Sequence, residues 1–185
     1  MNTKKGCFWD NAGTSNLAKD VIWLDAGAFT SPDPQAPGAT IPVYKEYGFG
    51  AAYYGGVRSW RFDDTNGQIC AHVGLNPNWN KGTLETRLYW YANDISHNIP
   101  NKWEIAMCLI GDQESLIFQP TWISDQDKDL ANNQLCITDV KWINPDFQGA
   151  SKNTSDLLAV YIRRINDDAS GLADFIGLKL DYFLI

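Results

Sequence analysis

Residues 83–93 read Thr-Leu-Glu-Thr-Arg-Leu-Tyr-Trp-Tyr-Ala-Asn, and this run decides the fold class. Leu84, Thr86, Leu88, Trp90 and Ala92 fall on one side of an extended chain, with Glu85, Arg87, Tyr89 and Tyr91 on the other. Successive side chains of a strand point to opposite faces, so a sustained period of two describes a long strand with one face on a core. The same rule holds over Lys102–Ile110, where Trp103, Ile105, Met107 and Leu109 share a side. It holds again over Gln68–Leu75, through Ile69, Ala71, Val73 and Leu75.

Working outward, Val57–Phe62 places Trp60 and Phe62 on one face. The turn-forming Asp63-Asp-Thr-Asn-Gly67 then predicts a hairpin with Gln68–Leu75. Shorter strands are expected at Ser115–Gln119 and Gln134–Trp142. Two long runs, Leu157–Asn166 and Leu172–Ile185, meet through Asn166-Asp-Asp-Ala-Ser-Gly171. Asp125–Asn133 is the one helix candidate, a single polar turn. With about eight strands and no helix able to cross between parallel ones, the sequence predicts an all-β, two-sheet antiparallel jelly-roll sandwich over residues 57–185.

Residues 1–56 differ. Pro32, Pro34, Pro37 and Pro42 exclude helix and central strand between them, so an extended N-terminal arm is expected, with one short strand at Val21–Leu24. Tyr44, Tyr47, Phe49, Tyr53 and Tyr54 lie among its glycines, and aromatics of this number must pack on something.

The chain has 185 residues, enough for one domain with a sizeable core. Aromatics make up 13%, a composition that leans towards pleated, half-buried surfaces. A formal charge of -7 and scattered basic residues argue against nucleic acid and anionic lipid as partners. No apolar h-region follows the basic start and no stretch reaches the length of a membrane span, so the expectation is a protein used without Sec export and without a membrane. Cys7, Cys70, Cys108 and Cys136 are far apart and form no CxxC motif, and three of them sit in alternating runs as small core residues.

The catalytic and metal patterns in the sequence are incomplete. Asp125-x-Asp127-x-Asp129 opens like a calcium loop, but Leu130 stands where glycine is needed and Cys136 where a bidentate glutamate is needed. Glu85 and Glu104, on neighbouring predicted strands, are the one carboxylate pair a glycosidase reading has, and charged residues on solvent faces explain them as well. His72 and His97 are the only histidines, and no nucleophile motif accompanies them. No enzyme activity, cofactor or metal is expected. Exposed aromatics admit two readings: Trp79, Trp122 or Tyr89 with Tyr91 stacking on sugar rings, or an oligomer interface. Their spread over many strands favours the interface.

The order of several motifs over residues 59–182 resembles a family of tailed-bacteriophage virion proteins. It comprises Trp60-Arg-Phe-Asp63, Pro77-Asn-Trp79, Gly82-Thr-Leu84, Tyr89-Trp90, Trp103, Ile162-Arg-Arg164, Asp167-Asp168, Asp174-Phe-Ile-Gly-Leu178 and Tyr182. Trp23-Leu-Asp-Ala-Gly-Ala28 aligns with an N-terminal family segment. The resemblance implies a structural virion protein with a jelly-roll domain, made in the bacterial host cytoplasm. It would be a capsid decoration or cement protein contacting the major capsid protein, or alternatively a receptor- or glycan-binding head-fibre or tail component. A homo-oligomer, with a trimer favoured, would use arm and surface aromatics as contacts: Trp9, Trp23, Tyr44, Tyr47, Phe49, Tyr53, Tyr54, Trp79 and Trp122.

Overall fold

The computed structural model describes residues 18–32, 41–48, 56–62, 67–93, 100–110, 123–128, 135–147, 157–165 and 172–185. Among them are twelve strands: β1 (Lys19–Asp25), β2 (Val43–Gly48), β3 (Gly56–Phe62), β4 (Gln68–Gly74), β5 (Leu84–Asn93), β6 (Pro100–Ile110), β7 (Ile123–Lys128), β8 (Leu135–Ile137), β9 (Lys141–Ile143), β10 (Asp146–Phe147), β11 (Leu157–Ile165) and β12 (Leu172–Phe183). They form a jelly-roll sandwich. The seven-stranded sheet runs β2-β3-β12-β5-β8, with β1 also on β12 and β9 also on β5. The five-stranded sheet runs β10-β6-β11-β4, with β7 also on β6. All pairs are antiparallel except the two-residue β10 against β6.

The alternation read in the sequence fixes the inner faces. Leu84, Leu88 and Trp90 of β5 and Phe175, Leu178 and Leu180 of β12 meet Trp103, Ile105 and Met107 of β6 and Leu158, Val160 and Ile162 of β11 in one buried cluster. In β12 the apolar phase breaks between Phe175 and Leu178, where the register with β5 shifts. One extra residue at that bulge returns both side chains to the core and turns Gly177 outward. Trp103 lies at the centre of the core, with its ring centroid 5.3 Å from that of Phe62 and 5.9 Å from that of Trp90. Arg164, also buried, donates from Nη1 to the Phe62 carbonyl at 3.3 Å and so links β11 to the other sheet.

Several expectations are corrected. β3 and β4 are not a hairpin: β3 pairs with β2 and β12, β4 pairs with β11, and the chain changes sheets between Phe62 and Gln68. Alternation tells which side of a strand is buried, not which strand lies beside it, and five residues at ~3.3 Å each can span the ~10 Å between sheets. Asp125 belongs to strand β7 and not to a helical turn. β7 lies at an edge, where polar and charged residues are tolerated in a strand. Gln134–Trp142 holds two short strands, β8 and β9, both on β5. The described part of the arm contains a second strand, β2, and both arm strands are integral to the larger sheet. Ser115–Gln119 lies outside the described residues. Cys70, Cys108 and Cys136 are buried and form no disulfide among the described residues.

At one end of the sandwich Asp25 caps the 3-10 turn Ala26–Ala28, accepting from the Ala28 N–H at 3.1 Å. The turn delivers Phe29 edge-on to Phe175 and lets Thr30 pair with Cys70 of the smaller sheet. Near the chain's other strand ends, the Tyr182 hydroxyl donates to Asp20 Oδ2 at 3.0 Å and accepts from the Asn76 N–H at 3.2 Å. Burial, chiefly, raises the Tyr182 phenol above its ordinary value; the Asp20 bond and charge add to this, and the Asn76 N–H opposes it. A folded-state value above the unfolded one gives stability that is complete below about pH 10 and lost as pH rises through the folded value. Tyr161 is raised too, by burial and then by Cys70 and Cys108. Urea midpoints measured from pH 8 to 11 should therefore fall at the alkaline end, and Tyr182→Phe should flatten part of that fall. An identical slope in the variant would refute the assignment.

Candidate functional site

The outer face of the larger sheet gathers most of the exposed large apolar side chains of the described strands. On β5 the outward positions are Glu85, Arg87, Tyr89 and Tyr91. Register places Asp181, Lys179, Gly177 and Asp174 of β12 beside them on one flank. On the other flank Ile137 lies beside Tyr89, Leu135 beside Tyr91 and Trp142 beside Glu85. Beyond β12, Trp23 of β1 pairs with Lys179.

Trp23 and Tyr89 meet edge to face, with ring centroids 4.9 Å apart at 77°. The contact depends on Gly177. A Cβ there would sit 2.5 Å from Trp23 Cζ2, so the indole occupies the space a side chain would need. Trp23 nonetheless remains 48% exposed, Trp142 56%, Leu135 50% and Ile137 46%. Exposed apolar side chains grouped on one sheet face make it the candidate contact surface.

Its charges are largely paired. Lys19 Nζ lies 2.7 Å from Glu85 Oε2 and 3.8 Å from Asp181 Oδ2, and Lys179 Nζ reaches the same Asp181 oxygen at 2.9 Å. Arg61 grips Asp174 through Nε at 2.9 Å and Nη2 at 3.1 Å. Arg87 is exposed and has no ion pair or hydrogen bond among the described residues.

Of the aromatics singled out from the sequence, Trp23 stands on this face. Tyr44 is partly buried on the other side of β2, edge-on to Trp60 with centroids 5.2 Å apart. Tyr47 lies in β2. Trp9, Phe49, Tyr53, Tyr54 and Trp122 lie outside the described residues. Trp79 is corrected: it is 1% exposed and part of the core, so it offers no ring to a ligand. A turn closed by Trp79 N–H to Asn76 O and Asn78 N–H to Asn76 Oδ1, with Trp79 bridged to Leu184, sends it inward. Trp142, Leu135 and Ile137 were missed. Leu135 and Ile137 do alternate, but only the register with β5 shows which way they face.

Glu85 and Glu104 lie on opposite outer faces of the sandwich. Glu85 pairs with Lys19, and Glu104 accepts from Arg163 at 2.6 Å on the smaller sheet. Two carboxyls so placed cannot flank one glycosidic bond. Asp125 and Asp127 sit in the extended β7, not in the coil a calcium loop requires. Among the described residues no three His, Cys, Asp or Glu side chains cluster as metal ligands, and no helix is long and apolar enough to cross a membrane.

No family model and no curated protein matches the sequence. Several solved structures align with the chain. The CBM22-1 xylan-binding domain of Paenibacillus barcinonensis Xyn10C aligns at 10% identity over 92% of this chain and 98% of that one, with a TM-score of 0.52. A family 11 carbohydrate-binding module from Clostridium thermocellum, bound to a mixed-linked tetrasaccharide, aligns at 10% identity over 90% and 96% with a TM-score of 0.38. The isomalto-dextranase of Arthrobacter globiformis T6 aligns at 10% identity over 86% of this chain but only 23% of its own, with a TM-score of 0.47. The chain thus spans about a quarter of that enzyme.

Proposed function

We propose that this chain is a non-enzymatic sandwich that binds glycans on the outer face of its larger sheet. The observation that carries the reading is the Trp23–Tyr89 pair, held over Gly177 and left half open to solvent. Sugar rings present C–H faces that lie against aromatic rings, while their hydroxyls need polar neighbours such as Lys179, Glu85 and Asp181. The fold shared end to end with a xylan-binding domain supports the reading. The sequence resemblance supplies a setting, a receptor- or glycan-binding component of a phage head fibre or tail.

A second reading is kept because Leu135 and Ile137 suit protein contact better than sugar contact. It is a capsid decoration role in which this face meets the major capsid protein or a second copy of the chain.

A glycan array with the wild-type chain separates the two. Glycan binding predicts discrete hits, weakened about tenfold by Trp23→Ala or Tyr89→Ala, the loss of roughly 1.4 kcal/mol of stacking. A blank array from protein that still attaches to particles would overturn it in favour of decoration.

A further inference from the structure

Among the described cations next to the Trp23–Tyr89 pair, one is uncommitted. Lys19 and Lys179 are held by Glu85 and Asp181, whereas Arg87, between Tyr89 and Glu85 on β5, is exposed and engages none of the described residues. A guanidinium offers a planar fork of donors matched to carboxylate or sulfate oxygens, and it makes stronger hydrogen bonds to an anion than to a neutral hydroxyl.

The setting is specific to this position. Arg87 pairs across to Lys179, whose other neighbour is Trp23, and Trp142 lies diagonally beyond Glu85. Counting strand spacings and one residue pair along β5, the Trp23 and Trp142 backbones are ~16 Å apart, with Arg87 between them. That span exceeds one sugar ring, so a ligand touching both indoles is an oligosaccharide crossing the strands, and its middle units pass over the guanidinium.

We infer that the glycan bound here is anionic, a chain carrying carboxylate or sulfate groups, with Arg87 as the residue that selects for charge. The inference rests on the glycan-binding reading of this face and adds the ligand's chemical class. It runs against the chain's net charge of -7, which repels polyanions at long range, so recognition depends on this local cation and not on general attraction.

The test measures binding of the full chain and of Arg87→Gln to polygalacturonate, dextran sulfate and neutral xylan at low and physiological salt. Circular dichroism confirms that the variant, altered at an exposed site, is folded. Expected is binding of at least one polyanion at least tenfold tighter than of xylan, lost by about tenfold in Arg87→Gln and weakened by salt, with the carboxylated or the sulfated polymer identifying the anion. Equal binding of xylan and polyanions, or an Arg87→Gln effect equal on both, overturns the charge selection and leaves glycan binding standing. Polyanion binding indifferent to Trp23→Ala also overturns it, because charge alone would then account for capture. No binding to any polymer overturns both readings.

Discussion

Trp103→Ala should destabilise the fold by about 3–5 kcal/mol, a large share of the roughly 5–15 kcal/mol that holds a domain of this size together. Trp103 is fully buried, and its aromatic partners Phe62, Trp90 and Phe175 all belong to the opposite sheet. Removing the indole empties the place where the sheets lock, and three surrounding rings are too rigid to collapse into it. Trp103→Phe should cost much less. It keeps most of the packing and removes a buried indole N–H that has no hydrogen-bond partner among the described residues. Urea unfolding of both variants measures the difference. An alanine variant within about 1 kcal/mol of wild type would show that the sandwich does not depend on this contact.

Gly177→Ala is expected to act on both fold and face. Its Cβ would lie 2.5 Å from Trp23 Cζ2 and 2.9 Å from the Leu24 carbonyl oxygen. The indole can swing away, but the carbonyl can retreat only if β1 shifts on β12. We expect a loss of about 1–3 kcal/mol from overpacking. The Trp23–Tyr89 contact should also open, seen as a change in tryptophan emission and as glycan binding no better than that of Trp23→Ala. Gly74→Ala is the control, since a Cβ there meets nothing within 4 Å. A Gly177→Ala protein with wild-type midpoint and emission would rule out the close packing.

Fold class was legible because burial on one face imposes a period of two, and Leu84 to Trp90 display it plainly. Partnership was not. Phe62 and Ile69 point into the same core from opposite sheets, and a hairpin would give both the same apolar pattern. β6 shows a further limit: Glu104, Ala106 and Cys108 alternate with the core residues, yet they too are buried. The site was half legible. Tyr89 and Tyr91 were recognisable as an outward pair, but Trp23 joins Tyr89 only through a register spanning the length of the chain, and Trp79 was misread because turn geometry, not hydropathy, sends it inward.

The order of strands in the larger sheet also governs how the molecule comes into being. Its central strand, β12, is the latest made of the described strands, and it separates β1 and β3 from β5. Lys19 finds its partner in Phe183, so at ribosomal rates the first strand waits on the order of 10–30 s for the neighbour that completes it. Pairings this distant in sequence place refolding in the slow, millisecond-to-second class of β proteins. Until β12 arrives, the apolar faces of β1, β3 and β5 lack the neighbour that joins them, an exposure during synthesis that the topology itself imposes.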